Sequence, residues 1–207
     1  MTAPLFRVGM AKTELLEQPE TLREGFARDR ALICREAIGP EMLALMQRLI
    51  AQASFEPQLV EKLGDRELES PERAGPALLL ALRRSNLFEW LDRATGCGPL
   101  DAVMGRVVQA RAGHDHQLTW HDDRQEPRRR LAVTINLGAA PYEGGLFEIR
   151  AKKTHEPVFA HRHTEAGTAL IFDVAHDIQH RVQPVTAGGP RRIFAGWFLA
   201  PEGAAPR

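Results

Sequence analysis

The spacing of hydrophobic residues along this chain changes near residue 103. Before that point apolar residues recur at the three- to four-residue spacing of amphipathic helices, and after it they alternate with polar or small residues. Alternation with a period of two is typical of β-strands that bury one face. The pattern predicts a largely helical first half and a second half built from short strands.

One helix is predicted to begin at Pro40, because proline is favoured in a first helical turn, where its missing N–H would have no partner. The residues that follow form one apolar stripe, which indicates an amphipathic helix packed on a core. The stripe consists of Leu43, Met46, Leu49 and Ile50.

Further elements are predicted on either side of this helix. Segments 76–84 and 86–95 read as two helices, with Ser85 between them as a candidate cap for the second. The short apolar run 31–34 predicts a buried strand. Segment 61–75 is highly charged and contains glycine and proline, so we expect an exposed loop there.

The second half contains a series of short strand patterns. Residues 131–137 alternate strictly, and further runs at 146–150, 168–174, 181–185 and 191–198 follow glycine or proline turns or, in one case, a histidine. Short strands separated in this way are typical of a double-sheet jelly roll. We therefore expect an α+β fold with a mainly β core, a double-stranded β-helix of the cupin-like kind, supported by N-terminal helices.

The length of 207 residues, with 43% hydrophobic residues, is enough for one substantial core. We expect a single domain over 1–207. Within it, 1–102 would form the helical and strand support, 103–199 the catalytic β-core, and the Ala/Pro-rich residues 200–207 a frayed tail.

Charge excludes some partners. Lys and Arg together number 27, as do Asp and Glu, so no global field favours nucleic acid or an anionic membrane. No apolar run approaches the roughly 20 residues of a membrane span, and the N-terminus lacks the apolar segment of a signal peptide. We expect a cytoplasmic monomer or homodimer, with Cys34 and Cys97 as reduced thiols.

Candidate chemistry centres on the sequence Trp120-His121-Asp122-Asp123 and on a distant third residue, His180. Residues at i and i+2 of an extended or tightly turning segment point the same way, so His121 and Asp123 can face one ion. Two imidazoles and a carboxylate on one face of a metal, with open positions opposite, are the ligand set of mononuclear ferrous oxygenases. An isolated H-x-D triplet is common by chance, so the third ligand is essential to this hypothesis.

Other histidines are weaker candidates. His114 and His116 form a second i, i+2 pair, but neither is followed by a carboxylate at the spacing of His121 and Asp123. His176 is an alternative third ligand, four residues before His180. Three more histidines are expected to be solvated loop residues, namely His155, His161 and His163.

Five blocks of sequence occur in a recognisable order. They are Gly113 to Asp123, the strand ending in Leu137, the turn Glu143-Gly144-Gly145-Leu146, Ala166 to Phe172, and His180 to Phe198. In that order the chain resembles the iron(II)- and 2-oxoglutarate-dependent oxygenases of the prolyl 4-hydroxylase type. The resemblance covers residues 103–199 and extends more loosely over 25–100.

The resemblance implies that His121, Asp123 and His180 bind Fe(II), with 2-oxoglutarate and O2 as cosubstrates and ascorbate as a candidate reductant. It also implies that a basic residue on the last strand pairs with the distal carboxylate of 2-oxoglutarate. In the family this residue shares a side of the strand with the Trp of the closing Gly-Trp motif. Arg191 has the parity of Trp197 and Arg192 does not, so we assign Arg191, with Arg192 as the alternative.

The chain departs from the family pattern before the H-x-D triplet, where many relatives place a tyrosine that helps to hold the cosubstrate. Ala110-Arg111-Ala112 occupies that stretch here. Thr134 is the substitute that we assign to cosubstrate binding, with Gln109 and Arg111 as alternatives.

The basic run Arg124, Arg128, Arg129 and Arg130 is either a solvated loop or a rim that attracts a carboxylate-bearing substrate. Candidates for a substrate rim at the mouth of the barrel are Trp120, Arg124, Tyr142 and Arg150.

The resemblance implies a dioxygenase that hydroxylates an unactivated C–H bond of a peptidyl or amino-acid-like substrate. Two alternatives remain at this point. One is hydroxylation of a small natural-product scaffold. The other is a non-catalytic, cupin-like protein that binds a metal or ligand, since the same triad can hold several divalent metals.

Overall fold

The computed structural model describes residues 4–60 and 63–205. Residues 61 and 62, at the start of the predicted 61–75 loop, and the last two residues of the predicted tail lie outside this description. The helices are α1 (Arg23–Asp29), α2 (Pro40–Ala51), α3 (Ala74–Leu82) and α4 (Ser85–Thr95), with a 3-10 turn at Pro19–Leu22 before α1.

The strands are β1 (Phe6–Val8), β2 (Thr13–Leu15), β3 (Ala31–Cys34), β4 (Ser54–Val60), β5 (Gly64–Ser70), β6 (Ala102–Ala110), β7 (Leu118–His121), β8 (Arg129–Asn136), β9 (Tyr142–Gly144), β10 (Leu146–Ala151), β11 (Pro157–Arg162), β12 (Ala169–Asp173), β13 (Ile178–Val182), β14 (Val185–Gly188) and β15 (Arg191–Leu199).

Two antiparallel sheets form the core. The larger has the order β3-β12-β8-β15-β6-β5-β4 and the smaller the order β11-β10-β13-β7, while β14-β9 and β1-β2 form separate two-stranded pairs. The strand order crosses repeatedly between distant parts of the sequence, as in a jelly roll. The expected fold class, a mainly β core of double-stranded β-helix type, is confirmed.

The larger sheet has two buried faces, and strand β8 shows how the sequence produces them. Leu131, Val133 and Ile135 pack in the hydrophobic cluster shared with the helices, whereas Ala132 lies in a second cluster between the two sheets. Because side chains alternate along a strand, period-two spacing sends odd positions to the helical layer and even positions into the barrel. Residues on the even side of β8 therefore face the interior, where a site can form.

Helix α2 begins at Pro40, as predicted. Its most buried side chains are Met42, Met46 and Ile50, spaced four residues apart, so the buried face is rotated slightly from the predicted stripe. The predicted strand at 31–34 and the two helices after residue 73 are also present.

The expectation of a loop at 61–75 is wrong. Residues 64–70 form β5, which pairs with β4 as a hairpin and with β6 at the edge of the larger sheet. The charged side chains that led to the loop prediction have partners. Glu67, for example, accepts hydrogen bonds from Gln109 (2.5 Å) and Arg111 (2.9 Å). The buried carboxylate of Glu69 accepts the N–H groups of residues 73–75 at the start of α3. Such a carboxylate stabilises a helix N-terminus.

The predicted strand at 181–185 is in fact two strands. β13 ends at Val182, and β14 begins at Val185 and pairs with β9 instead of continuing along β10. Pro184 has no N–H to donate to a continuing ladder, which explains the break. β14 also extends to Gly188, into the segment read from sequence as a turn.

Among the described residues no helix is both long enough and apolar enough to span a bilayer. Cys34 and Cys97 are buried and form no disulfide. Burial raises the pKa of the Cys34 thiol to about 11, so this thiol is protonated and unreactive at neutral pH.

Candidate metal centre

Three residues from the β-core converge on one point. His121 ends β7 and His180 lies in β13, and the two are direct partners across this antiparallel pair. Their ring centroids are 4.1 Å apart. One donor atom from each of His121, Asp123 and His180 lies within 4.8 Å of the other two, and all three residues are buried. The structure thus brings together the three residues that the sequence analysis singled out.

Asp123 reaches this point through a turn in the backbone. Its φ of 58° lies in the left-handed region, which aspartate tolerates better than most residues. One carboxylate oxygen lies 3.5 Å from His121 Nε2 and the other lies 3.4 Å from His180 Nε2. Trp197 Nε1 donates a hydrogen bond of 2.9 Å to that second oxygen, Oδ2. The carboxylate is therefore held between the two imidazoles by an indole on the last strand.

The protonation states suit metal binding. His121 Nδ1 donates to the carbonyl of Thr119 at 2.7 Å, which leaves the lone pair on Nε2 for a metal. Burial, assisted by the nearby His180, lowers the pKa of His121 to about 4 against the opposing charge of Asp123. Burial raises the pKa of Asp123, but its contacts with His180, His121 and Trp197 lower that pKa by more, to well below its usual range.

The donor set fits a divalent metal ion. Two ligands about 2.1 Å from one ion and at right angles lie roughly 3 Å apart, close to the 3.4 and 3.5 Å between the carboxylate oxygens and the two imidazoles. Neutral imidazoles and an ionised carboxylate are the forms that bind metals. Three ligands on one face of the ion leave its opposite coordination positions open, and these point toward the adjoining cavity.

That cavity has a volume of about 490 Å³ and reaches from the triad into the space between the sheets. Phe147, Phe172 and Ile193 form part of its apolar wall, and Thr134 lies in the same wall. The hairpin of β4 and β5 contributes Arg66 from the other side. The cavity is large enough for a small ligand beside a metal ion.

Arg191 and Arg192 lie on opposite sides of β15. Arg191 is 6% exposed, forms part of the cavity wall, and has a buried Nε with no hydrogen-bond partner in residues 4–60 and 63–205. Arg192 instead donates through Nε to Gln109 at 2.7 Å, and its guanidinium lies 5.1 Å from the ring of Phe55. A buried guanidinium without a partner is costly, so the position of Arg191 favours an anion in the cavity.

Residues 107–199 match the profile of the 2OG-Fe(II) oxygenase superfamily. The core of this chain is a 2OG-Fe(II) oxygenase domain. The resemblance recognised in the sequence is thereby confirmed, and with it an oxygenase that uses Fe(II), 2-oxoglutarate and O2. No curated protein sequence matches the chain.

Solved structures share the fold of the oxygenase. A prolyl-4-hydroxylase from Pseudomonas putida is 16% identical with a TM-score of 0.65, over 89% of this chain and 100% of the other. A 2OG-Fe(II) oxygenase family protein from Burkholderia pseudomallei is 20% identical with a TM-score of 0.64, over 89% and 92%. A prolyl hydroxylase from Trichoplax adhaerens, solved with a hypoxia inducible factor peptide fragment, is 14% identical with a TM-score of 0.65, over 87% and 88%.

The other histidine candidates lie apart from the metal-ligand cluster. His116 is in the cavity wall, but its Nδ1 accepts the backbone N–H of Arg111 at 3.0 Å, and its ring stacks on that of His114. His176 is exposed. Of the proposed substitutes for the missing tyrosine, Arg111 pairs with Glu67, whereas Thr134 lies in the wall of the oxygenase cavity.

The four rim candidates are not among the described residues that line the cavity. Trp120 lies between two guanidinium groups, 4.0 Å from that of Arg150 and 4.7 Å from that of Arg181. The buried Tyr142 donates its hydroxyl to the carbonyl of His163. Arg124 is exposed. A role for these residues with a longer substrate stays a prediction.

The basic run after the H-x-D triplet is not a uniformly solvated loop. Arg129 forms part of the cavity wall with only 14% of its side chain exposed. Arg130 is buried and donates to the carbonyls of Pro127 and Ala205. Neither Arg129 nor Arg66 belongs to a distinguishing local motif, so neither could be recognised from the sequence as a residue of the cavity wall.

His163 was expected in a solvated loop, and this is wrong. It is 1% exposed, and neither ring nitrogen has a hydrogen-bond partner among the residues described. Burial, together with the charge of Arg191, places the pKa of His163 well below its usual range. The ring is therefore neutral in the folded protein.

This burial predicts a pH effect. Below about pH 6.5 the imidazole of His163 is protonated in the unfolded chain but stays neutral in the folded protein. Its contribution to the unfolding free energy is therefore complete above that pH and is lost as the pH falls. We expect His163→Leu to reduce the fall in unfolding free energy between pH 7 and pH 5 by up to about 1.4 kcal/mol per pH unit. Urea unfolding at both pH values measures this. His155→Gln, at an exposed position, should leave the pH slope unchanged, and an unaltered slope in His163→Leu would contradict the assignment.

Proposed function

We propose that this oxygenase hydroxylates an unactivated C–H bond of a peptidyl or amino-acid-like substrate. His121, Asp123 and His180 would hold Fe(II), and Arg191 would bind the distal carboxylate of 2-oxoglutarate. The observation that carries the proposal is the buried guanidinium of Arg191, which forms no ion pair with a carboxylate of the described residues and lies in the same cavity as the triad. A guanidinium and a carboxylate form paired, charge-assisted hydrogen bonds that fix the ligand's orientation as well as its affinity.

The loaded metal, with 2-oxoglutarate and O2, supplies an oxidant able to remove a hydrogen atom from such a C–H bond. The protein's part is positioning. Trp197 holds Asp123 between the two imidazoles, and His121 keeps its Nε2 lone pair free through the bond to Thr119. Phe147 and Phe172 line the cavity and limit water beside the reacting groups.

Asp123 also bears on the type of reaction. Its carboxylate takes a metal position that a halide would need in a halogenating relative, so we propose hydroxylation. A chlorinated product from the unmodified enzyme would contradict this.

Two neighbours in fold are a prolyl-4-hydroxylase and a prolyl hydroxylase bound to a peptide fragment, which supports a peptidyl or amino-acid-like substrate. A natural-product substrate and a purely binding protein remain as outcomes of the test.

The test combines a spectrum with a product assay. Anaerobic addition of Fe(II) and 2-oxoglutarate should give a weak visible charge-transfer band, and aerobic incubation with peptides, free amino acids and small metabolites should release succinate. His180→Ala should lose both while remaining folded by circular dichroism, whereas His176→Ala should keep both. Absence of band and succinate in the unmodified protein would favour a non-catalytic binding protein.

A further inference from the structure

The residues that line the oxygenase cavity carry more positive charge than the metal-bound cosubstrate neutralises. Three guanidinium groups occur among the described lining residues, those of Arg66, Arg129 and Arg191, together with one buried carboxylate, Asp123, and the exposed Asp65. In the loaded site the charges of a divalent ion and the dianionic cosubstrate sum to zero, so the described lining residues leave one positive charge in excess, three guanidinium groups against two carboxylates. Arg129 and Arg66 are then opposed by Asp123 and, at the exposed edge, by Asp65.

Arg129 is held beside the metal site. One terminal nitrogen donates to the backbone carbonyl of Asp123 at 3.0 Å and lies 3.7 Å from its carboxylate. The guanidinium carbon lies 3.8 Å from the centroid of the Trp197 ring, a cation-π contact that fixes the plane of the group. Its Nε is buried and has no hydrogen-bond partner in the part of the chain that the structure describes. The side chain is therefore rigid, charged and incompletely paired.

The charge of Asp123 does not account for Arg129. When Asp123 binds a metal its carboxylate is a ligand of the ion, and its distance of 3.7 Å from the terminal nitrogen of Arg129 is longer than a hydrogen bond, so it offsets the charge of Arg129 only in part. Burial lowers the pKa of Arg129 against the opposing charges of Asp123 and Glu126, but a guanidinium stays protonated in proteins. A charge kept in such a position indicates an anionic ligand that arrives with the substrate.

Arg66 approaches the same cavity from the β4–β5 hairpin. Its Nε donates to Gln58 Oε1 at 2.9 Å, and its terminal nitrogens have no hydrogen-bond or ion-pair partner among the described residues. Gln58 is neutral and cannot offset the charge. Arg66 can therefore contribute a second cation from the opposite side of the cavity.

We propose that Arg129, assisted by Arg66, binds a carboxylate of the substrate and selects small, amino-acid-like molecules whose carboxylate lies within a few bonds of the carbon that is oxidised. This inference rests on the proposed function and narrows its substrate class. Because Arg129 lies against Asp123 and Trp197, the anion it binds must be close to the metal. An internal peptide residue without an acidic side chain offers no such group.

The test measures binding, so the identity of the reaction product need not be known. The protein is loaded with Mn(II), which does not turn over, and with saturating 2-oxoglutarate, which occupies Arg191. The probes are N-acetyl amino acids, each paired with its primary amide, and paramagnetic broadening of their proton signals reports binding near the metal. We expect at least one carboxylate to bind about 10- to 100-fold more tightly than its amide, the range for hydrogen bonds to a charged group.

Variants then locate the preference. Arg129→Gln keeps a donor for the carbonyl of Asp123 but removes the charge, and should abolish the preference for the carboxylate. Arg129→Lys should retain part of it, and Arg66→Gln should weaken it. Arg162→Gln, at an exposed arginine not among the lining residues, is the matched control and should behave like the unmodified protein.

Two results would overturn the proposal. One is that no carboxylate probe binds more tightly than its amide, and the other is that the preference survives in Arg129→Gln as fully as in Arg162→Gln. Succinate release and stabilisation by 2-oxoglutarate are measured on the same preparations. If both are normal and the preference is absent, only this inference fails; if both are absent, the proposed function itself fails.

Discussion

Asp123→Asn is expected to lower the affinity for Fe(II) or Mn(II) by more than about 100-fold and to remove 2-oxoglutarate turnover with it. Loss of groups that merely orient metal ligands costs 10- to 100-fold, and loss of a charged ligand should cost more. Asparagine tolerates the left-handed φ of 58° nearly as well as aspartate, so the backbone turn should survive. The effect then reports the carboxylate and not a misfolded loop.

Asp122→Asn is the matched control, one residue away. Its carboxylate accepts a hydrogen bond from Lys152 at 2.7 Å outside the metal cluster. Mn(II) binding followed by electron paramagnetic resonance should be nearly unchanged in Asp122→Asn and strongly reduced in Asp123→Asn. Equal metal affinities in the two variants would place the metal elsewhere and would reject the assigned triad.

The second large effect is expected at Arg191. Arg191→Ala should raise the concentration of 2-oxoglutarate needed for half-maximal turnover about 100-fold or more, because it removes paired hydrogen bonds to a carboxylate worth about 1.5–3 kcal/mol each. Arg192→Ala should change it by less than about threefold, since Arg192 is bonded to Gln109 on the other face of β15. Succinate release against 2-oxoglutarate concentration measures both. Similar shifts in the two variants would mean that the distal carboxylate is bound elsewhere.

A stability measurement separates binding from folding at this position. Arg191→Met fills much of the same volume without a buried charge, so the protein without ligands should be as stable as before or more stable. With Mn(II) and 2-oxoglutarate present, the unmodified protein should gain melting temperature and Arg191→Met should not. A large loss of stability without ligands would instead assign Arg191 a structural role.

The side on which each β15 residue lies could be predicted from the sequence alone. Alternation is a property of any strand, so Arg191 and Trp197 had to share a face once residues 191–198 were recognised as a strand. The pairing of His121 with His180 was less accessible, since it depends on the register between β7 and β13. The resemblance to a family supplied that register indirectly.

Charged residues were the main source of error. The segment 61–75 read as a loop because its composition is charged, but Glu67 is paired with Gln109 and Arg111 and the Glu69 carboxylate accepts N–H groups at the start of α3. Composition records that a charge is present and says nothing of a partner about 40 positions away. The same limit applied to His163, which sits in the interior beside Arg191.

The sequence by itself determined the β-core, the supporting helices and the identity of the two imidazoles, the carboxylate and the guanidinium of the candidate site. The β-core and the helices follow from local periodicity, whereas the four site residues come from the resemblance to a family, because His121, His180 and Arg191 are far apart in the sequence. Only the tertiary structure decided that Arg129 and Arg66 enter the same cavity, that His163 is buried and that the β4–β5 hairpin joins the sheet. The reason is physical: burial and charge pairing are set by residues far apart in the chain, and the energies involved appear only when folding brings those residues together.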